Sequence, residues 1–263
     1  QTLPSGDKFV LVNGSDVTEM AQSSDGRVLY LINGETASAA ATATLPAHSN
    51  IYRSTDGGAS WTELTIPAAG VFWNNIAVAP DNADVIAVTD GGFIAGAWVA
   101  TTNVWISTNG GSTWSAMGNP LAGGVVMDLG VGPARTGTLL GREYAVAVAN
   151  PAAGTAGADV LIIGGLTAAW APAAAGTVGI RDYVALKFTP NFVGDRCLVV
   201  IGVAPVVNAN PPPAVTSPAV LVLNTATMTV VQTTALVPAT AVAAVTLDVG
   251  GAAPSVLRGE VQL

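Results

Sequence analysis

Two aspartates, Asp128 and Asp248, have the residue type and spacing that could support catalysis. Each lies in a short apolar stretch that predicts a β-strand, and the two stretches hold comparable places in a repeated pattern. Two carboxyl groups that face one another across a cleft, one of them with a raised pKa, can cleave a glycosidic bond. The sequence favours a plainer interpretation, in which each is a solvated channel carboxylate or hydrogen-bonds a strand end.

Other kinds of site lack the residues that they require. One cysteine (Cys197) and one histidine (His48) cannot by themselves build a metal site, and a single cysteine cannot form a disulfide within the chain. The chain contains no Walker-type phosphate loop, no Gly-x-Ser-x-Gly elbow and no Asp-x-Asp calcium loop. The sequence therefore predicts no cofactor and no metal.

The composition excludes several classes of protein. The chain has 263 residues, of which 50% are hydrophobic and only 10% charged, and its formal net charge is −8. Nine basic residues against 17 acidic ones do not provide the positive surface that nucleic acid requires. The apolar content argues against disorder. Two charge-free stretches, 160–180 and 197–247, are interrupted by glycine and proline, so no membrane-spanning segment is predicted.

The strongest signal is an internal repeat. An eight-residue segment that ends at Trp61 recurs almost letter for letter 53 residues later, where it ends at Trp114. The shared positions are Ser54, Asp56, Gly58 and Trp61 in the first copy and Ser107, Asn109, Gly111 and Trp114 in the second. Each copy lies between two short predicted strands, which indicates a hairpin with a long, tightly specified turn.

The residues of the repeated segment suit such a turn. The side-chain oxygen of Asp56 or Asn109 can accept backbone N–H bonds across the turn, and the following glycine pair tolerates a positive φ. The serine hydroxyl can bond locally, while the tryptophan covers apolar surface at the start of the next strand.

The pattern Ser-x-Asp-x-Gly-x-x-Trp resembles the Asp-box of the sialidase-type β-propellers, also called the BNR repeat. The resemblance implies a propeller fold and a structural role for the box residues, at turns on the periphery of the blades. Sialidases of this kind bind a carboxylate sugar with three arginines, the first in a Phe/Tyr-Arg-Ile-Pro motif. No arginine of this chain lies in such a motif, so the resemblance does not extend to sialidase chemistry.

The remainder of the chain continues the same period. Pro80, Pro133 and Pro190 each follow a predicted inner strand and are separated by 53 and 57 residues. In the third unit, 160–163 and 166–170 are the predicted outer strands, around an eroded box at Gly164 and Gly165. Four short strands per unit predict an all-β radial array of sheets, a β-propeller with four complete blades and part of a fifth. The predicted single domain of residues 1–263 divides into blades at about 14–68, 69–120, 121–178 and 179–236, with the partial blade at 237–263.

The partial fifth blade can be completed in three ways. The N-terminal strand 8–12 could pair with it and close a five-bladed ring, which would remove exposed sheet edges. The chain could instead form part of a longer propeller, or a neighbouring subunit could supply the missing strand. The sequence leaves all three open.

Four long connections fall inside the predicted blades, at 36–49, 91–102, 150–158 and 206–218. They are rich in small residues and contain no Asp, Glu, Lys or Arg, which suits close packing against a partner better than chemistry.

These features predict a non-catalytic, extracellular propeller with a structural or assembly role, whose partners are further copies of itself or other subunits. The first alternative is a module that binds a glycan or a protein through exposed aromatic residues such as Trp98. The second is a two-carboxylate glycoside hydrolase. The extracellular location is inferred from the resemblance and from a sequence that begins like a processed chain.

Overall fold

Short runs of Val, Ile, Leu and Ala, bounded by turns rich in Gly, Asp and Asn, fold as β-strands in the computed structural model. The structure describes residues 16–34, 49–69, 71–94, 97–149, 159–165, 167–173, 182–203 and 219–235. The strands are β1 (Asp16–Gln22), β2 (Leu29–Gly34), β3 (Asn50–Ser54), β4 (Thr62–Glu63), β5 (Trp73–Ala79), β6 (Asn82–Asp90), β7 (Gly92–Ile94), β8 (Ala97–Val99), β9 (Val104–Ser107), β10 (Ser115–Ala116), β11 (Val125–Val131), β12 (Tyr144–Ala149), β13 (Val160–Ile163), β14 (Ala171–Pro172), β15 (Asp182–Phe188), β16 (Cys197–Val203), β17 (Ala219–Asn224) and β18 (Thr229–Ala235). A single helical turn, α1 (Phe192–Asp195), precedes β16.

The strands form four antiparallel four-stranded sheets, which we call blades 1 to 4. In spatial order they are β1-β2-β3-β4, β5-β6-β9-β10, β11-β12-β13-β14 and β15-β16-β17-β18. The small hairpin β7-β8 is inserted between the second and third strands of blade 2. The structure thus confirms the predicted all-β fold of repeated four-stranded blades.

Each blade has a β-bulge in its first strand. The extra residue is Thr18, Asn74, Met127 or Val184, and the residue that follows it is Glu19, Asn75, Asp128 or Ala185. A bulge re-aims the side chains beside it and increases local twist. Because it recurs at the same place, it also provides a register for comparing the four blades.

Three apolar clusters lie between successive blades. Tyr30 and Ile32 of blade 1 pack with Trp73 and Ile86 of blade 2. Similar clusters join blade 2 to blade 3 and blade 3 to blade 4. Because blades 2 and 3 are covered on both faces, their central strands are mostly apolar, and all six residues of β12 are buried.

The connections of each blade sort to two ends of the molecule, because successive strands run in opposite directions. The "turn end" carries the first-to-second and third-to-fourth connections. The "loop end" carries the second-to-third connections, which include all four predicted insertions. Of these insertions, the structure describes only Ser49 and parts of 91–102, and the latter segment contains β7 and β8.

Charged side chains join the blades at the turn end. Arg53 of blade 1 pairs with Asp84 of blade 2, and Asp81 of blade 2 pairs with Arg142 of blade 3 at 2.9 Å. Between blades 3 and 4, the buried Glu143 pairs with Arg196. Arg142 also donates to the Gly132 carbonyl at 2.7 Å. Each described interface therefore combines an apolar core with an ion pair at one end.

One predicted strand is misplaced. Residues 166–170 were expected to form the outer strand of blade 3, but that strand is Ala171–Pro172. Trp170 comes immediately before it, as Trp61 and Trp114 precede β4 and β10. The third copy therefore retains the length of the box turn although its serine and aspartate positions have been replaced.

The predicted fifth unit falls on 8–12 and 237–263, which lie outside the described residues. The partial blade and the three ways of completing it remain predictions.

Because the apolar cores lie between blades, two neighbouring valines of β16 should differ sharply in how much each contributes to the stability of the fold. Val200 is fully buried towards blade 3, whereas Val199 points to the opposite face and is only half-buried. We expect Val200→Ala to lower the free energy of unfolding by about 2 kcal/mol, since it removes two buried carbons and leaves a cavity. Val199→Ala removes the same atoms and should cost less than half as much. Equal losses in urea denaturation would contradict this assignment of faces.

Candidate functional site

The candidate site lies where the first strands of the blades approach one another around the middle of the array. Asp128 occupies this region on β11, directly after the bulge. One of its carboxylate oxygens accepts the N–H of Leu129 at 2.8 Å, and the other accepts the N–H of Leu186 on β15 at 2.7 Å. The Leu186 amide lies in the first strand of blade 4, so the carboxylate links blade 3 to blade 4.

The environment of Asp128 favours its protonated form. Burial raises its pKa to about 7, against the two backbone N–H bonds, which lower it. The negative charge of Glu19 raises the pKa further, and the positive charge of Lys187 lowers it. Asp128 still keeps part of its surface accessible, so this group is an acid that can exchange a proton near neutral pH.

The bulge register reveals partners that sequence reasoning missed. Glu19 and Asn75 hold the position of Asp128 in blades 1 and 2. Asn75 donates to the Val126 carbonyl of blade 3 at 2.9 Å, which mirrors the link that Asp128 makes to blade 4. The sequence contained a signal for this set, since these positions are spaced at the repeat length, but the bulge is needed to align them.

A second polar cluster supports the loop end of blade 2. The buried Asp90 carboxylate accepts the N–H of Thr102 at 2.6 Å, the N–H of Asn103 at 3.0 Å and the Thr102 hydroxyl. Thr101 donates its hydroxyl to the Asp90 carbonyl and accepts the N–H of Val126, each at 3.0 Å. These bonds fix the base of the β7-β8 hairpin.

The two box turns share most of their internal hydrogen bonds. The Ser54 hydroxyl accepts the N–H of Gly58 at 2.8 Å and donates to Asp56, whose carboxylate in turn accepts the N–H of Ser60 at 2.9 Å. The bonds to Ser60 lower the pKa of Asp56 to about 2. In the second copy the equivalent residues are Ser107, Gly111, Asn109 and Thr113. All four box glycines have positive φ: Gly57, Gly58, Gly110 and Gly111.

The box tryptophans link neighbouring blades. The Trp114 indole N–H donates to the Thr65 carbonyl at 2.7 Å, and the Trp170 indole N–H donates to the Met117 carbonyl at 3.1 Å. Both acceptors belong to the segment that leads out of the preceding blade. The residues predicted at the boxes therefore serve packing in this structure and lie at the turn end, away from Asp128.

The described arginines also lie apart from Asp128. Four of them, at positions 53, 135, 142 and 196, form ion pairs at the turn end. Asp248 and His48, and the side chain of Trp98, fall outside what the structure describes. The pairing of Asp128 with Asp248 thus remains a prediction.

Metal and membrane signals were searched in the described ranges. No group of three or more His, Cys, Asp or Glu side chains there could hold a metal ion. No helix in the same ranges is long and apolar enough to cross a membrane.

Comparison with known proteins shows the fold alone. No protein-family profile and no curated protein sequence matches the chain. Among solved structures, a prolyl endopeptidase from a study of two such enzymes aligns with a TM-score of 0.51 and 12% identity, over 84% of this chain and 28% of that one. A Penicillium chrysogenum α-L-arabinanase complexed with arabinobiose gives 0.49 and 14%, over 87% and 68%. The Niastella koreensis GH74 enzyme gives 0.40 and 17%, over 83% and 38%.

The chain covers only part of several proteins that it resembles: 38% of the Niastella enzyme, 53% of a Kuenenia stuttgartiensis hydrazine synthase chain and 33% of an ancestral GH74 enzyme. The four antiparallel four-stranded blades, together with the alignment to the prolyl endopeptidase at a TM-score of 0.51, are consistent with a partial β-propeller fold. At such low identity these similarities carry no activity over to this chain.

The pKa of Asp128 predicts a pH-dependent stability. Because its folded pKa of about 7 exceeds the ordinary value of 3.8, the folded chain binds this proton more tightly than the unfolded chain. The contribution of Asp128 to stability is therefore complete below about pH 4 and is lost as the pH rises towards 7. A difference of about three pKa units limits this contribution to at most about 4 kcal/mol. In urea denaturation at a series of pH values, Asp128→Asn should abolish this fall.

Asp56→Asn is a matched control, because the contribution of Asp56 to stability changes with pH in the opposite direction. The substitution suits the turn, since the second box already has asparagine at this position. The low pKa of Asp56 stabilises the fold above about pH 4 and stops doing so as the pH falls through 2. Asp56→Asn should therefore change only the acid limb of the profile. An unchanged slope between pH 4 and 7 in Asp128→Asn would show that this carboxyl does not titrate there.

Proposed function

We propose that this chain is a non-catalytic β-propeller with a structural role, which associates with further copies of itself outside the cell. The observation that carries the proposal is the exposure of large apolar side chains on a chain with few charges. Among the residues that the structure describes, seven large hydrophobic side chains are exposed: Val17, Met20, Val99, Leu139, Leu140, Val193 and Val231. Charge depletion and apolar exposure are characteristic of the cores of protein interfaces.

The charged groups support the same proposal, because they are used within the fold. The arginines at 53, 142 and 196 hold adjacent blades together. Asp128, the candidate catalytic acid, has both oxygens engaged by backbone amides of two blades. A general acid must reach a substrate proton site within hydrogen-bond distance, and these engagements leave Asp128 better suited to linking blades.

A glycoside hydrolase is the second candidate, and one observation favours it. Asp128 has a pKa of about 7, and Glu19 is close enough for its charge to contribute to that value. Two carboxyl groups, one of them with a raised pKa, are the minimum for glycoside hydrolysis. In this candidate function the second carboxyl group is Glu19 and not the predicted Asp248. Glu19 lies in the described part of the chain, and its charge influences Asp128. The glycan-binding alternative through Trp98 remains a prediction.

Sedimentation equilibrium and negative-stain electron microscopy of the purified chain test the structural role. We expect masses that are multiples of 26.1 kDa and particles or arrays larger than one propeller. Since apolar contacts with few charges respond little to screening, raising the salt from 0.05 to about 0.5 M should not dissolve them. A monodisperse 26.1 kDa species at every concentration would contradict self-association.

A polysaccharide panel with reducing-end detection tests the hydrolase. If the two acids act, Asp128→Asn and Glu19→Gln should each reduce turnover at least about a hundredfold, the range of general acid–base contributions. Asp56→Asn, at the turn end, should leave it intact. If the chain has only a structural role, neither the unmodified protein nor any of the three variants should show turnover.

A further inference from the structure

The outermost strand of blade 4 differs from those of the other described blades. In blades 1, 2 and 3 the outermost strand has only two residues: β4, β10 and β14. In blade 4 it is β18, which has seven. Among the described strands, β17 alone pairs with β18, so they leave the second edge of β18 unused. Blade 4 therefore ends in a long strand where the other three blades end in short ones.

The other blades carry features that discourage pairing at their outer edge, and β18 does not. An edge strand presents N–H and C=O groups to which another strand can add, and short length, charge and proline all oppose this. β4 is short and contains Glu63, and β14 ends at Pro172, which has no N–H to donate. The sequence of β18, Thr-Val-Val-Gln-Thr-Thr-Ala, contains no charged residue, no proline and no glycine. Five of these seven residues are β-branched, the type that favours strands.

The side chains of β18 are open to solvent. The exposed residues of the strand are Thr229, Val231, Gln232, Thr233 and Thr234. Val231 is 56% exposed, an unusual value for an apolar residue. Val230 is half-buried, because its cross-strand partner Leu223 belongs to the core shared with blade 3. Since consecutive exposed residues lie on opposite faces of a strand, solvent reaches both faces of β18.

One irregularity interrupts β18, a bulge near its start. Val222 of β17 pairs with Gln232, and Leu223 pairs with Val230, so Val231 is the extra residue. A bulge can turn an edge away from partners. The residues after it, 232–235, nevertheless pair with β17 in an unbroken register. This regular part lies within the usual range of strand lengths and is twice as long as β4, β10 or β14.

We propose that β18 of one copy pairs in antiparallel fashion with β18 of a second copy, which joins two four-stranded blades into one continuous sheet. The inference rests on the proposed self-association and assigns its surface. Among the outermost strands of the described blades, only β18 has more than two residues, so the edge that can meet it on another copy is its own. Antiparallel pairing of identical strands places a two-fold axis between the copies. Because each edge is used once, this contact alone forms a dimer.

The charge distribution favours this contact. The chain has a formal net charge of −8, so two copies repel one another over much of their surface. The edge of β18 is uncharged, and like charges do not meet where the strands pair. Gln232 and Thr234 pair with Val222 and Val220, on the face of the sheet directed away from blade 3. Their amide and hydroxyl groups can hydrogen-bond across paired strands, which adds to the bonds between the backbones.

Variants of opposite charge test the contact. Gln232→Lys combined with Thr234→Lys places two positive charges on the edge, and Gln232→Glu combined with Thr234→Glu places two negative ones. Each double variant alone should associate at least about tenfold more weakly than the unmodified chain, because like charges then meet across the axis. An equimolar mixture of the two should regain association as mixed dimers of twice 26.1 kDa.

The matched control changes the outermost strand of blade 2. Ser115→Lys combined with Ala116→Lys adds the same charge at two exposed residues of β10, which is too short to pair, and should associate like the unmodified chain. Circular dichroism checks that every variant is folded. If the double lysine variant of β18 does not fold, Gln232→Lys alone replaces it, since that residue is already polar and exposed.

Hydrogen exchange of the unmodified chain supplies a second measurement. When the protein concentration is raised until dimers form, the backbone amides at the outer edge of β18 should exchange more slowly, because a second strand now accepts their hydrogen bonds. Amides of β10 should exchange at the same rate in monomer and dimer. Protection that appears elsewhere and leaves β18 unchanged would contradict the assignment.

The outcomes separate this inference from the proposed function. If the unmodified chain associates and the double variants associate equally well, or if their mixture regains nothing, the β18 contact is wrong and self-association stands. If the unmodified chain remains at 26.1 kDa at every concentration, both are wrong, and the edge of β18 is left to a different protein. Mixed dimers from two variants that are monomeric alone establish the contact.

Discussion

Face-to-face packing of successive sheets is the constraint on which the rest of this structure depends. A sheet in the middle of such an array has no solvent-facing side, so its strands cannot alternate between apolar and polar residues. The six buried residues of β12 and the four of β13 are the direct consequence. This packing accounts for a chain that is half hydrophobic and only one-tenth charged.

Polar groups of the described blades consequently lie at their ends, at their inner edges and on their outermost strands. At the turn end, ion pairs such as Asp81 with Arg142 join neighbours. At the inner edges, Asn75 and Asp128 follow β-bulges and bond to backbone groups of the next blade. Burial among these edges is also what raises the pKa of Asp128 to about 7. The position of Asp128 at the inner edge of blade 3 thus accounts both for its link to blade 4 and for the raised pKa that makes it a catalytic candidate.

Particular elements show how far the sequence could predict this arrangement. The box segments ending at Trp61 and Trp114 predicted two hairpins, because glycine pairs and a short acceptor side chain determine a turn locally. The outer strand of blade 3 was misplaced at 166–170, because its turn had lost the serine and aspartate that mark the others. Only the retained Trp170, which bonds to the Met117 carbonyl of the preceding blade, identifies that turn. The hairpin β7-β8 was treated as an irregular loop, since three-residue strands have too few positions to display a period.

The sequence by itself determined the repeat, its period and the four-stranded unit, since these depend on short-range patterns of strand and turn residues. The tertiary structure decided which side chains meet. Glu19 and Asp128 are 109 residues apart in the chain and come together only because the first strands converge. The equivalence of Asn75 with Asp128 likewise becomes visible only through the bulge register. Electrostatic coupling and inter-blade contacts depend on distance in space, and strand pairing and sheet packing determine that distance.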